Sequence, residues 1–175
     1  MIQIREGTFE TNSSSTHSIC IAKDSTAKNW KIPNYLNIKF DDFGWERCEY
    51  NDMEDKVSYL ASAMKYCELE AEFEHFVEIM QGLGIRVHVK EYYDEGVDHS
   101  GELIDFIHDV LSDRDKLMRF LFDDRSCIYT GNDNGCDDDE MCWCALDKIY
   151  DYENDKEIDN PNHDESKFEY YFKGN

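Results

Sequence analysis

Short runs that alternate apolar with polar residues, set among stretches that repeat every three to four residues, most constrain how this chain can fold. Period two marks a half-buried strand and period 3.6 an amphipathic helix. Ile2 and Ile4 alternate with Gln3 and Arg5, and Ile19 and Ile21 alternate with Ser18 and Cys20. Leu36, Ile38 and Phe40 alternate with Tyr35, Asn37 and Lys39 just after Pro33. The period then lengthens. Asn51 followed by Glu54 resembles a helix cap with its reciprocal partner, ahead of Val57, Leu60, Ala61 and Met64 at helical spacing. A second stripe, Leu69, Phe73, Phe76, Val77 and Met80, stops at Gly82 and Gly84, which suit a C-terminal cap.

Ile85, Val87 and Val89 return to strand period, with Arg86, His88 and Lys90 as a basic opposite face. Ser100 can cap a helix carrying Leu103, Ile104, Ile107, Val110 and Leu111, and Asp113 another carrying Leu117, Phe120 and Leu121. Phe168, Tyr170 and Phe172 close the chain as a last strand. Strands and helices are thus grouped rather than strictly alternated. That order predicts one α+β domain over residues 1–175, with a mixed or antiparallel sheet and helices packed on one side.

Between the first two apolar runs lies Thr8, Phe9, Glu10, Thr11, Asn12, Ser13, Ser14, Ser15, Thr16, His17 and Ser18. It reads as a loop joining residues 2–5 and 18–22 as strands of one sheet. Its amide and hydroxyls can cap local backbone groups. Alternatively, Asn12, Ser13, Ser14, Ser15, Thr16 and His17 face a ligand, the backbone amides forming an anion nest. A Ser nucleophile with His17 as base needs a spatial arrangement that adjacency in sequence does not supply. The loop also holds no Lys, Arg or Gly to welcome a phosphate, and Glu10 sits inside it.

Charge narrows the function classes. Forty carboxylates against 18 Lys and Arg give a net charge of −22, although 41 % of residues are apolar and support a real core. Such a field repels nucleic acid, nucleotides and anionic membrane, and attracts basic surfaces and cations. Residues 123–169 hold sixteen Asp and Glu against Arg125, Lys148, Lys156 and Lys167, so −12 of the charge is concentrated there. The first residues lack a signal-peptide pattern, and no apolar run nears the length of a membrane span. Seven cysteines at irregular spacing predict a reduced, cytoplasmic protein rather than a disulfide framework.

Arg5, Gly7 and residues 9–18 resemble the N-terminal signature of a family of small, uncharacterised proteins of phages and Firmicute mobile elements. Ile128, Tyr129, Thr130, Gly131, Asn132, Asp133 and Asn134 resemble a second segment of that family. The resemblance implies a setting, a host bacterial cell and phage context, and carries no catalytic role.

Two further clusters bear on metals. Cys136, Cys142 and Cys144, with His163 downstream, offer zinc-type ligands, although the paired Cys-x-x-Cys knuckle is absent. Cys20, Cys48, Cys67 and Cys127 read as small apolar residues. Residues 132–140 are rich in Asp and Asn around Gly135. With that glycine as sixth position, Thr130 and Met141 fall where a calcium loop needs carboxylates, so the EF-hand reading fails.

Two functions follow. In the first, the chain is an interaction protein rather than an enzyme. It inhibits a basic nucleic-acid-binding defence protein of the host, in the manner of an anti-CRISPR or anti-restriction factor. Asp137, Asp138, Asp139, Glu140, Asp151, Glu153, Asp155, Glu157 and Asp159 make the contact. No nucleic acid and no membrane is bound directly. In the second, an enzyme or small-ligand binder is organised on residues 11–18. The first predicts an exposed acidic face and no pocket at His17; the second predicts a pocket where Asn12, Ser13 and His17 converge.

Overall fold

The computed structural model describes residues 15–23, 30, 32–44, 48–91, 96–97, 103–132, 145–151 and 153–173. Strand β1 (Ser15–Ala22) is the centre of an antiparallel sheet. It pairs on one side with β5 (Cys127–Asn132) and on the other with β8 (Phe168–Lys173), while β3 (Cys48–Tyr50) lies beyond β5. Residues 18–22 are therefore strand, as the alternation predicts. Residues 2–5, expected as their sheet neighbour, lie outside the described residues.

Two expectations about β1 need correction. Ser15, Thr16 and His17 belong to the strand, not to the loop before it, and every residue of β1 is buried rather than half-buried. The reason is position: a central strand is paired on both edges, and here both of its faces are covered. Ile19 and Ile21 join the helix-side core with Ile128. Cys20 packs on the opposite face with Cys127, Tyr129, Phe168 and Tyr170. Two bonds fasten later chain over that second face: Ala145 N donates to Ser18 Oγ at 2.9 Å, and Asp164 N to the Tyr170 hydroxyl oxygen at 2.8 Å.

The helix side is built largely where the apolar stripes place it. Helix α1 (Met53–Tyr66) buries Val57, Leu60, Ala61 and Met64, and starts at Asp52 rather than Asn51. Asp52 Oδ1 accepts the Asp55 amide at 2.9 Å, the same capping chemistry one residue later. Because α1 packs against three other helices and β2, it also buries Lys56, Ser58, Tyr59 and Ser62. Helix α2 (Glu70–Gly82) ends in a Schellman motif. Gly84 N bonds Gln81 O and Ile85 N bonds Met80 O, both at 2.9 Å, with Gly84 at φ +79°. Helices α3 (Ile104–Ser112) and α4 (Arg114–Phe122) meet at Asp113, whose carboxylate accepts the amides of Asp115 and Lys116. The predicted cap at Ser100 lies outside the described residues.

Strand β2 (Tyr35–Lys39) pairs in parallel with β4 (Arg86–Glu91), the intervening helices supplying the crossover. Leu36 and Ile38 are fully buried, whereas Arg86, His88 and Lys90 are exposed as expected. A final hairpin, β6 (Lys148–Asp151) and β7 (Lys156–Asp159), forms its own two-stranded sheet. One hydrophobic cluster runs through β1, β2, all four helices and β5. The architecture is α+β. Among the described residues, no helix is long and apolar enough to cross a membrane.

Candidate functional site

Alternation along β1 decides where the Ser-rich motif lands. Ser15, His17, Ile19 and Ile21 share the helix face, and Thr130 on β5 is the register partner of His17. His17 is wholly buried beneath α1, where Tyr59 bonds to its Nδ1 at 2.8 Å through the phenol hydroxyl. Its Nε2 lies 3.4 Å from Ser15 Oγ. Burial, and then the neighbouring Tyr50, hold the Tyr59 phenol well above its ordinary pKa, so it stays protonated. The result is a chain of three buried polar side chains, Ser15, His17 and Tyr59, spanning the sheet–helix boundary.

Such a chain has the outline of nucleophile, base and orienting group. Its burial points elsewhere. With Ser15 2 % and His17 0 % exposed, a substrate reaches neither without displacing packed neighbours. Buried polar groups that satisfy one another fix a unique packing, and that is the chemistry this arrangement supports. Thr16 is also buried in β1, on the opposite face from His17. Asn12, Ser13 and Ser14 lie outside the described residues. Tyr59 was not visible in the sequence as their companion. It falls off the Val57, Leu60, Ala61 and Met64 stripe, and only the helix's burial on several sides brings it in.

The acidic candidates divide differently. Asp137, Asp138, Asp139 and Glu140 lie outside the described residues. The others build the β6–β7 hairpin, where Lys148 pairs with Asp159, Tyr150 with Glu157, and Asp151 with Lys156. Lys148, Tyr150, Glu157 and Asp159 therefore share one face, and all four are exposed. Ile149 and Ile158 pair on the other face and are half-buried. The hairpin is anchored by Asn160, whose N and Nδ2 donate to the carbonyls of Asp147 and Leu146, both at 2.8 Å.

Not every carboxylate of the hairpin is available to a partner. Asp151 accepts the amides of Glu153 and Asn154, and the Asn154 side-chain amide at 2.7 Å, so it shapes the turn. The Asn154 side chain, followed by the backbone amides, keeps the Asp151 carboxyl below the usual range and hence ionised. Asp155 sits at φ +50° and bonds the Tyr150 hydroxyl. Asp147, Glu153, Asp155, Glu157 and Asp159 are all exposed. Residues 147–159 carry six carboxylates against Lys148 and Lys156, a net −4. Ile149 and Ile158, each flanked by charged or amphipathic residues around an Asn-Asp turn, were the overlooked strand signal.

Of the zinc-type ligands, His163 alone is described. Its ring stacks on Tyr170 with centroids 4.3 Å apart, and its Nε2 faces Glu165 at 3.6 Å. Cys136, Cys142 and Cys144 lie outside the described residues. Among the described residues, no three His, Cys, Asp or Glu are grouped closely enough to hold a metal ion.

A separate cleft opens between β2 and the start of α1, lined by Lys39, Asp41, Phe43, Tyr50, Glu54, Asp55 and Lys90 among others. Burial, then repulsion from Asp52 and Glu54, pushes the Asp55 carboxyl up to about 6. Comparison with protein-family models, with curated proteins and with solved structures found no match to this chain.

Proposed function

We propose that the protein is an acidic interaction factor that occupies the nucleic-acid-binding surface of a basic host protein, as an anti-CRISPR or anti-restriction inhibitor would. One observation carries this reading. The β6–β7 hairpin holds Asp147, Glu153, Asp155, Glu157 and Asp159 exposed on a scaffold anchored by Asn160. Glu157 and Asp159 are two residues apart on β7 and so stand ~6.6 Å apart on one face. Glu153 and Asp155 lie in the connecting turn and Asp147 just before β6, so the hairpin fixes where its charge sits. Tyr150, 45 % exposed among them, supplies the aromatic contact that protein interfaces favour. A partner built to bind phosphates can pair its basic side chains with these carboxylates, displacing the cations around them, as it does those around a duplex. The resemblance to phage and mobile-element proteins fits this setting, because their products meet host nucleases.

The alternative, a ligand site on residues 11–18, has less support, because Ser15, Thr16 and His17 are engaged inside the sheet. The test is capture of proteins from bacterial lysate by the wild type and by a variant carrying Glu153→Gln, Asp155→Asn, Glu157→Gln and Asp159→Asn. Asp151 is left intact because the turn depends on it. The reading expects a basic nucleic-acid-binding protein in the wild-type eluate and its loss from the variant's. Equal capture by both removes the hairpin from the account.

A further inference from the structure

We propose that Cys20 and Cys127 form an oxidisable dithiol site that a hydroperoxide converts into a disulfide joining the two central strands of the sheet. The two residues are direct register partners across the antiparallel β1–β5 pair, so their side chains leave the same face. Their sulfurs lie 2.8 Å apart in a buried contact. Opposed residues in such a ladder have Cα atoms ~4.5–5.5 Å apart, inside the ~4.4–6.8 Å that a disulfide requires. Cross-linking therefore needs the two sulfurs to close from 2.8 Å across a register pair whose spacing suits a disulfide.

The surroundings divide the labour between the thiols. Cys20 directs its S–H toward the Arg125 carbonyl at 3.7 Å, an arrangement that holds its proton. Both residues are buried, Cys127 at 7 % exposed and Cys20 at 4 %, and Cys127 is the attacking sulfur because the Cys20 proton is held. The Lys56 ammonium donates to the carbonyls of Asp123, at 2.7 Å, and of Ser126, at 2.9 Å, one residue before Cys127. Its charge is felt by both thiols, and a nearby cation favours the thiolate. Burial pulls the Lys56 ammonium down to about 8, so it still carries most of its charge at neutral pH.

The chemistry balances with hydrogen peroxide, which is small enough to reach a nearly buried sulfur. The Cys127 thiolate attacks one peroxide oxygen, the O–O bond breaks and an S–O bond forms. The departing hydroxide takes the proton that Cys127 gave up and leaves as water. Cys20 sulfur then attacks Cys127 sulfur, the S–O bond breaks, and the released hydroxide takes the Cys20 proton as a second water. Two thiols and one peroxide give one disulfide and two waters; the peroxide gains the two electrons that the sulfurs lose. The new bond closes a segment of 107 residues, which restrains the unfolded chain strongly.

The test treats the reduced full-length protein with hydrogen peroxide, quenches with catalase, denatures and alkylates with N-ethylmaleimide. Of the seven cysteines, two should escape alkylation, and peptide mapping should join Cys20 to Cys127. Thiol reductant should restore all seven. The oxidised protein should melt on the order of 5–10 °C higher. Cys20→Ala should abolish the link and let Cys127 proceed to the sulfinic acid, a gain of two oxygens in mass. Because mapping on the wild type needs no variant, poor folding of Cys20→Ala leaves the test intact. A disulfide that maps to any other pair overturns the proposal. So does full alkylation of Cys20 and Cys127 after peroxide has oxidised other cysteines.

Discussion

Replacing Tyr59 with Phe removes one oxygen from the middle of the molecule and isolates what the His17 contact is worth. The ring keeps its edge-on packing against Phe43, with centroids 5.5 Å apart, so no cavity of consequence opens. What disappears is the 2.8 Å bond to His17 Nδ1 inside a fully buried site. Leaving a buried polar group without its partner costs about 1–3 kcal/mol. The variant also avoids burying a hydroxyl, which places the expected loss in the lower half of that range. For a chain of this size each kcal/mol moves Tm by ~2–4 °C, so a fall of roughly 2–8 °C is expected. Thermal melts and urea titrations of Tyr59→Phe, His17→Leu and the double variant complete a cycle, with a coupling energy of at least ~0.5 kcal/mol expected. If Tyr59→Phe melts within a degree of wild type and the cycle is additive, the buried chain is not holding the sheet to α1. The motif would then need another explanation.

Three further outcomes follow from local physics. Asp55 has its folded-state carboxyl raised to about 6, so the stability it contributes is full below about 4 and is lost as pH rises through 6. Asp55→Asn should therefore be the more stable protein at pH 7–8, with the gap closing below pH 4. Solvent screening of this half-exposed group limits the gain to about 1 kcal/mol, readable by urea denaturation at the two pH values. Gly84→Ala should destabilise by about 1 kcal/mol through its φ of +79° alone, since nothing lies within 4 Å of the added methyl. Gly82→Ala, equally open but at the helix end, should be neutral or slightly stabilising in the same melts. Metal carried by protein purified without chelator should be zinc, because thiolates of Cys136, Cys142 and Cys144 outcompete carboxylates for it. Elemental analysis finding calcium and no zinc contradicts that order.

The elements read from periodicity hold where a regular apolar stripe and local capping chemistry define them. The stripes of α2, α3 and α4, the Asp113 cap and the Gly84 terminus needed only local pattern and turn chemistry. Residues 15–17 read as loop in the sequence because polar side chains in series look like one until two sheet neighbours and a covering segment bury them. Nothing within the run Ser15, Thr16, His17 and Ser18 announces that Tyr59, forty-two residues on, will satisfy its histidine. The hairpin was hidden for the opposite reason. Its strands, β6 and β7, each present one half-buried isoleucine among charges, and that alternation is faint beside the charge density. The acidic stretch was legible as composition, and its division into turn-forming Asp151 and outward Glu157 and Asp159 required the register.

Competition with duplex DNA tests the central claim most directly. The basic protein captured from lysate would be bound to this chain and titrated with a 30-base-pair duplex between 50 and 300 mM salt. If the hairpin carboxylates occupy a nucleic-acid-binding surface, duplex should displace the chain. The affinity of the pair should also fall as a power of salt concentration, because exposed charges are screened over ~8 Å at physiological ionic strength and counterions are released on binding. A ternary complex holding chain and duplex together, or an affinity indifferent to salt, would contradict the account.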